Sequence, residues 1–111
     1  MAYNEGLADR VRGVLGEHPR LREQKMFGGL AFMVAGNMSV GIVGDDLMVR
    51  VGPTAYDEAL ALPNAREMDF TGRPMRGFVF VDVAGIATRD DLEQWVDRGV
   101  AFAGSLPAKD A

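Results

Sequence analysis

The 111-residue chain contains no cysteine and one histidine, His18. The absence of cysteine excludes disulfide bonds, thiolate zinc sites and cysteine nucleophiles. A metal site would have to be built from carboxylates alone, and His18 directly precedes Pro19, which favours an extended loop. We therefore expect neither a metal centre nor a cofactor.

Long apolar runs are also absent. The longest unbroken run extends from Leu30 to Ala35, whereas a helix needs roughly 20 apolar residues to cross a bilayer. The N-terminus lacks a basic segment followed by an apolar one, which is the pattern of a secretory signal. The sequence therefore predicts a cytoplasmic protein with no membrane attachment.

Positive charge is scarce. The chain has 12 basic and 16 acidic residues, which gives a formal net charge of −4. Binding to nucleic acid requires a surplus of cations on one face. The N-terminal arginines are interspersed with carboxylates, so we do not expect direct binding of DNA or RNA; these arginines are Arg10, Arg12, Arg20 and Arg22.

Nucleophilic residues are few, since Ser39 and Ser105 are the only serines. Ser39 lies two residues after Asn37, where the nucleophile-elbow motif requires glycine. We expect Ser39 to be the outward-facing residue of a strand. Without a serine–histidine pair or a cysteine, the sequence predicts a protein that is not an enzyme.

Three segments carry apolar residues at helical spacing. The first extends from Asn4, which can cap a helix, to Gly16. A short second helix opens at Gly52-Pro53, with proline at the first helical position. The third is the clearest, because Thr88 and Asp91 form an approximate capping box before a continuous apolar stripe.

Apolar residues alternate in the segments between these helices. Residues 30–34, 38–42 and 47–51 predict three antiparallel strands, with turns at Gly36-Asn37 and at 44–46. A second hairpin is predicted between residues 67 and 82. Residues 22–27 either add an earlier strand or form an irregular lead-in.

The predicted order is therefore α-β-β-β-α-β-β-α. Strands joined as hairpins, with helices outside them, form an antiparallel sheet with the helices on one face. We predict an α+β two-layer sandwich in one domain over residues 1–107, and a flexible tail at 108–111. Phe78 and Phe80 are expected on the face that the helices cover.

Methionine is abundant, with seven in the chain. Thioether side chains fill irregular cores, which is the role we expect for the methionines in general, and they also coat adaptable binding surfaces. Met33 and Met48 alternate with Phe32 and Val49, so they are expected on the sheet face that the helices leave open. There they are either exposed or in contact with a partner, which makes them a candidate interaction surface.

Two cationic segments could form a ligand site. Lys25 precedes the glycine pair Gly28-Gly29, and Arg73 and Arg76 lie at or near a hairpin tip. If the three cations converge near the glycines, they could hold a small molecule or an anion. The alternatives are a strand kink at the glycines and a solvated turn at the arginines.

Several blocks of the sequence resemble the N-terminal domain of the TfoX/Sxy family. They follow in order along nearly the whole chain, from the first helix to about Pro107. The blocks are Lys25-Met26-Phe27-Gly28-Gly29-Leu30-Ala31-Phe32-Met33, Gly36-Asn37-Met38, Asp46-Leu47-Met48-Val49-Arg50-Val51-Gly52, Gly72-Arg73-Pro74-Met75 and Gly77-Phe78. The resemblance implies a bacterial, cytoplasmic protein with a small α+β fold.

Longer members of this family regulate natural competence by assisting a transcription activator, and they carry a second, helical domain. The resemblance implies a stand-alone N-terminal domain here and provides no catalytic residues. Our leading hypothesis is a non-enzymatic regulatory module that binds a protein partner or a second copy of itself. The alternative is a small-molecule or anion-binding protein that uses Lys25, Arg73 and Arg76.

Overall fold

The computed structural model describes residues 3–16, 20–26, 28–69 and 74–109; for residues 26, 68, 69, 74 and 75 only the backbone is described. His18 and residues 71–73 of the hairpin turn predicted at 71–74 lie outside these ranges. The elements are α1 (Glu5–Leu15), β1 (Leu21–Met26), β2 (Gly29–Val34), β3 (Asn37–Val43), β4 (Asp46–Arg50), α2 (Tyr56–Leu60), β5 (Ala65–Asp69), β6 (Pro74–Val81), a 3₁₀ helix (Val83–Ile86) and α3 (Arg89–Ser105).

The strands form one six-stranded sheet in the order β1-β2-β3-β4-β6-β5. Every pairing in it is antiparallel, which confirms the predicted α+β class. Residues 21–26 are a regular strand, since β1 pairs with β2 from Leu21 opposite Val34 to Met26 opposite Gly29. Of the two alternatives predicted for residues 22–27, the earlier strand is therefore confirmed, and it begins at Leu21.

The helices begin where the sequence predicts capping. The Asn4 side chain accepts a hydrogen bond from the Leu7 N–H at 3.0 Å, and the Thr88 hydroxyl accepts one from the Asp91 N–H at 3.1 Å. These bonds satisfy backbone donors that the first turn of a helix leaves unpaired. α2 differs from the prediction, because it begins at Tyr56, three residues after Pro53.

The turn between β2 and β3 is one residue earlier than predicted. Ala35 and Gly36 have φ angles of 51° and 80°, as the two central residues of a type I′ turn require. Asn37 is already the first residue of β3 and is buried. Its side-chain amide donates to the Pro107 carbonyl at 3.0 Å, and the Lys109 N–H donates to the Ala35 carbonyl at 2.8 Å.

The helices and one face of the sheet enclose the hydrophobic core. The buried core residues of the helical segments are Leu7, Ala8, Val11, Tyr56, Ala59, Ile86, Leu92, Trp95 and Val96. They pack on Leu30, Phe32, Val40, Ile42, Leu47, Val49, Val79 and Val81 of the strands. We call this side of the sheet the helix face and the other side the open face.

α3 lies directly on the backbone of β3. Gly99 is buried, and a Cβ atom there would overlap the Ser39 carbonyl oxygen and lie 2.7 Å from Val40 Cγ1. Ser39 itself is fully buried and its hydroxyl donates to the Phe32 carbonyl at 2.8 Å, so it does not point outward as predicted. The reason is a β-bulge, because the β2–β3 register shifts between Phe32 and Met33 and leaves Ser39 without an opposite residue.

Replacing Gly99 with alanine should separate α3 from β3. We expect Gly99→Ala to lower the free energy of unfolding by about 1–3 kcal/mol, because backbone atoms cannot move away from the new methyl group. Gly104→Ala on the same helix is the matched control, since a Cβ there meets nothing within 4 Å. The control should be neutral or stabilising by up to about 1 kcal/mol. Equal effects in urea unfolding would contradict the close contact.

An ion pair connects α1 to the edge strand β1. The Arg12 guanidinium donates to both carboxylate oxygens of Glu23 at 2.7 Å and to Asp9 at 2.6 Å. This hydrogen bonding holds the pKa of the Glu23 carboxyl below its ordinary value. A carboxyl with a lowered pKa stabilises the fold at neutral pH, and this contribution is lost as the pH falls through the folded-state pKa.

Glu23→Gln should therefore reduce the acid sensitivity of the protein. The Arg12 and Glu23 side chains are 41% and 34% exposed. We therefore expect the substitution to lower the free energy of unfolding by less than about 1 kcal/mol at pH 7. The difference from the parent should shrink as the pH falls through the lowered pKa of the Glu23 carboxyl, measured by urea unfolding across pH. Glu93→Gln is the control, because Glu93 lies 3.8 Å from Arg89 on an exposed helix surface. A difference that grows towards low pH would contradict the assignment.

Candidate interaction surface

The structure does not bring the predicted cations Lys25 and Arg76 together. Lys25 lies on β1 and Arg76 on β6, with β2, β3 and β4 between these strands. Four strand spacings separate their backbones by about 19 Å across the sheet. Arg73 lies outside the described residues. A common anion site of Lys25 and Arg76 would need neighbouring strands, and the strand order does not provide them.

Gly28 and Gly29 are explained by strand geometry. Gly28 has a φ of 73° and lies in the connection between β1 and β2, where glycine adopts a positive φ at low cost. A Cβ at Gly29 would overlap the Ile42 carbonyl oxygen on β3. The interruption predicted as a kink within a strand is therefore the end of one strand and the start of the next.

Arg76 on β6 contacts two residues of α2. Its guanidinium lies 5.2 Å from the centre of the Tyr56 ring and 3.7 Å from the Asp57 carboxylate. The Tyr56 hydroxyl is buried and has no hydrogen-bond partner among the residues that the structure describes, and burial is the main cause that raises its pKa. Arg76 is thus engaged with α2, at a distance from Lys25.

The open face carries a compact apolar cluster made of strand residues alone. Met48 and Phe80 are buried at its centre, and Met38, Val43 and Phe78 are half-buried around them. We call these five residues the open-face cluster. The helices pack instead into the core on the other side of the sheet. Its three outer side chains form a partly accessible apolar surface on this face of the sheet.

Two arginines border the open-face cluster. Arg66 lies 5.1 Å above the Phe80 ring and pairs with Asp46 and Asp82. Arg50 lies 5.6 Å from the centre of the Phe78 ring and 5.2 Å from that of Phe102. Stacking orients a guanidinium without consuming its N–H donors. Of the two, Arg66 is neutralised by carboxylates and Arg50 is oriented by aromatic rings.

Comparison with known families adds an independent observation. The model of the TfoX N-terminal domain matches residues 14–103, which include all six strands, α2 and most of α3. The chain belongs to the TfoX N-terminal domain family. Among curated proteins and among solved structures, no chain matches this one closely enough to extend the comparison.

This TfoX N-terminal domain places the two predicted surface methionines differently. Met33 is half-buried on the open face, whereas Met48 is fully buried. Met48 was predicted to be either exposed or in contact with a partner, but its own neighbours in the open-face cluster enclose it. Met33, Met38, Val43 and Phe78 are therefore the side chains that remain partly accessible.

Phe78 and Phe80 are the residues that the sequence analysis assigned to the wrong face. In the TfoX N-terminal domain, Val79 and Val81 belong to the helix-face core, and Phe78 and Phe80 belong to the open-face cluster. The run from Phe78 to Val81 is apolar at every position, so either set of alternate residues could face the helices. Alternation identifies a face only where apolar and polar residues alternate.

Within the residue ranges that the structure describes, no helix of the TfoX N-terminal domain has the length and apolar character needed to cross a membrane. The side chains placed by the structure include no group of three or more His, Asp or Glu residues arranged as metal ligands.

Met48 should behave as a core residue and Met33 as a surface residue. We expect Met48→Ala to lower the free energy of unfolding by about 2–5 kcal/mol, as for buried methionines in general. Met33→Ala should lower the free energy of unfolding by less than about 1 kcal/mol. Urea unfolding of both variants tests this difference. Similar losses, or a larger loss for Met33→Ala, would show that the open-face cluster does not enclose Met48.

Proposed function

We propose that this TfoX N-terminal domain is a non-enzymatic regulatory module that binds a protein partner through the open face of its sheet. The observation that carries the proposal is the open-face cluster, which remains partly accessible on a face without helices. The family supports a competence-regulator-like module, and the open face supplies the surface through which such a module acts. The proposed location is the cytoplasm.

The chemistry of the open face supports protein binding. Aromatic residues, methionine and arginine are enriched in the centres of protein interfaces, and lysine and glutamate are depleted there. Phe78, Met38 and Arg50 occupy adjoining positions at one end of this face. Arg50 forms no carboxylate pair within the described part of the chain. A partner could therefore supply apolar side chains to the cluster and a carboxylate to Arg50.

The contacts of the N-terminal arginines favour a protein partner rather than a nucleic acid. Arg10 donates to the Ile86 carbonyl at 2.6 Å, and Arg12 binds Glu23 and Asp9. These guanidiniums contribute to the fold and are not presented together for phosphate contacts. Phosphate binding also requires a local cation surplus, which the net charge of −4 does not favour.

A charge placed in the open-face cluster should abolish partner binding. The test compares affinity capture from a host lysate, followed by mass spectrometry, for the parent domain and for Met38→Glu. Met38 is only half-buried, so the folded state should tolerate the carboxylate, which circular dichroism verifies. Glu93→Lys on α3 is the matched control, because it changes charge on the opposite layer.

The expected result is a specific protein captured by the parent and by Glu93→Lys but lost, by at least tenfold, with Met38→Glu. Light scattering on the same variants shows whether that partner is a second copy of the chain. A partner retained in full by folded Met38→Glu would contradict binding through the open face. Failure of the parent domain to capture any protein, with a monomer in solution, would contradict the proposed function itself.

A further inference from the structure

A concave site lies on the helix side of the molecule, away from the open-face cluster. It is a cleft of about 310 Å³ between the start of α3, the 3₁₀ helix and the loop at 62–64. Its volume is at the lower end of the range for small-molecule sites. The polar and aromatic residues that line it are Asn64, Asp91, Gln94, Trp95 and Arg98.

The wall opposite α3 is held in a fixed shape. Asn64 has a positive φ of 67°, and its carbonyl accepts a hydrogen bond from the Asp82 N–H at 3.0 Å. A Cβ at Gly85 would lie 2.8 Å from Asn64 Cβ and 2.7 Å from Val81 Cγ1. Only glycine at position 85 lets the loop pack this closely on the 3₁₀ helix. The cleft is thus formed by the fold before any ligand binds.

Arg98 provides an oriented cation in this cleft. Its guanidinium lies 5.5 Å from the centre of the Trp95 ring, and Trp95 itself is 6% exposed. The carboxylate nearest to it is that of Glu58, at 4.0 Å on a side chain that is 76% exposed. An ion pair of that length and exposure contributes little. The guanidinium therefore retains donors for the carboxylate of a ligand.

Asp91 provides a charge of opposite sign two helical turns away. Seven residues of α3 separate the Asp91 and Arg98 backbones, about 10 Å along the helix axis. Long side chains on a helix extend towards its N-terminus, and the stacking on Trp95 shows that Arg98 does so. The distance between the Asp91 carboxylate and the Arg98 guanidinium is therefore shorter than the distance between the backbones of these two residues.

The geometry points to a binding site for a small zwitterion of the amino-acid class. Its carboxylate would bind Arg98 and its ammonium group Asp91, with the amides of Gln94 and Asn64 at the sides. An α-amino acid separates its two charged groups by about 3 Å, and a hydrogen bond of about 2.8 Å at each end brings the total to about 9 Å, which fits a gap somewhat below 10 Å. This site is separate from the proposed protein-binding face and does not depend on it.

Trp95 makes the proposal directly testable, because it is the only tryptophan in the chain. The experiment titrates the parent protein with L-alanine and follows tryptophan fluorescence, with amide chemical shifts of Gln94 and Asn64 as a second measurement. We expect a saturable change. Capping the amino acid by N-acetylation or by C-terminal amidation should weaken binding by about tenfold in each case, because each cap removes one charge contact.

Substitutions of Arg98 and Asp91 test whether these two side chains bind the charged groups of the ligand. Arg98→Gln and Asp91→Asn should each weaken binding by about tenfold, whereas Arg89→Gln, on the same helix but outside the cleft lining, should bind as the parent does. Met38→Glu on the open face should also bind normally. The absence of a saturable signal, equal binding of the capped amino acids, or an equal loss with Arg89→Gln would each overturn the proposal.

Discussion

The contact of α3 with the backbone of β3 is the constraint on which the arrangement of this domain depends. Gly99 lets the helix approach the Ser39 carbonyl more closely than any residue with a side chain would allow. The bulge that buries Ser39 lies at the same point of the sheet. With α3 held there, the apolar stripes of the helices cover one face of the sheet. The open-face cluster on the opposite side consists of strand residues alone.

Much of the architecture could be predicted from sequence, because local signals determine it. Caps at Asn4 and Thr88 and the alternation in β2 to β4 are properties of short segments, and they identified the elements. β1 gave no such signal, since its residues 22–25 are all polar or charged. Polar residues protect an edge strand from pairing with other chains, and they also remove the apolar alternation by which strands are found.

The sites were harder to predict, because they depend on which strands are neighbours. Lys25 and Arg76 could form one site only if β1 and β6 were adjacent strands. In the sheet β6 is the fourth strand from β1, and no local sequence pattern predicts this strand order. Phe78 and Phe80 were misplaced because the run they occupy is apolar on both faces. Trp95 belongs to the apolar stripe that predicts α3, and only the structure shows that it also lines a cleft with Arg98.

Arginine side chains stack on aromatic rings at several places in this domain, including the open face and the cleft. Arg50, Arg66, Arg76 and Arg98 each lie over an aromatic ring, a contact that suits a planar guanidinium better than an ammonium group. This use agrees with a composition of ten arginines and two lysines. Stacking orients Arg50 at the open face and Arg98 in the cleft before a ligand arrives, so each surface presents a cation of defined direction.

The two faces of the sheet can be distinguished most directly by thiol labelling, since the natural chain has no cysteine. Phe78→Cys and Val79→Cys place a thiol at neighbouring positions that the structure assigns to opposite faces, one half-buried on the open face and one fully buried under the helices. Under native conditions the account predicts rapid labelling of Phe78→Cys and protection of Val79→Cys until the protein unfolds. Rapid labelling of Val79→Cys with protection of Phe78→Cys would contradict it.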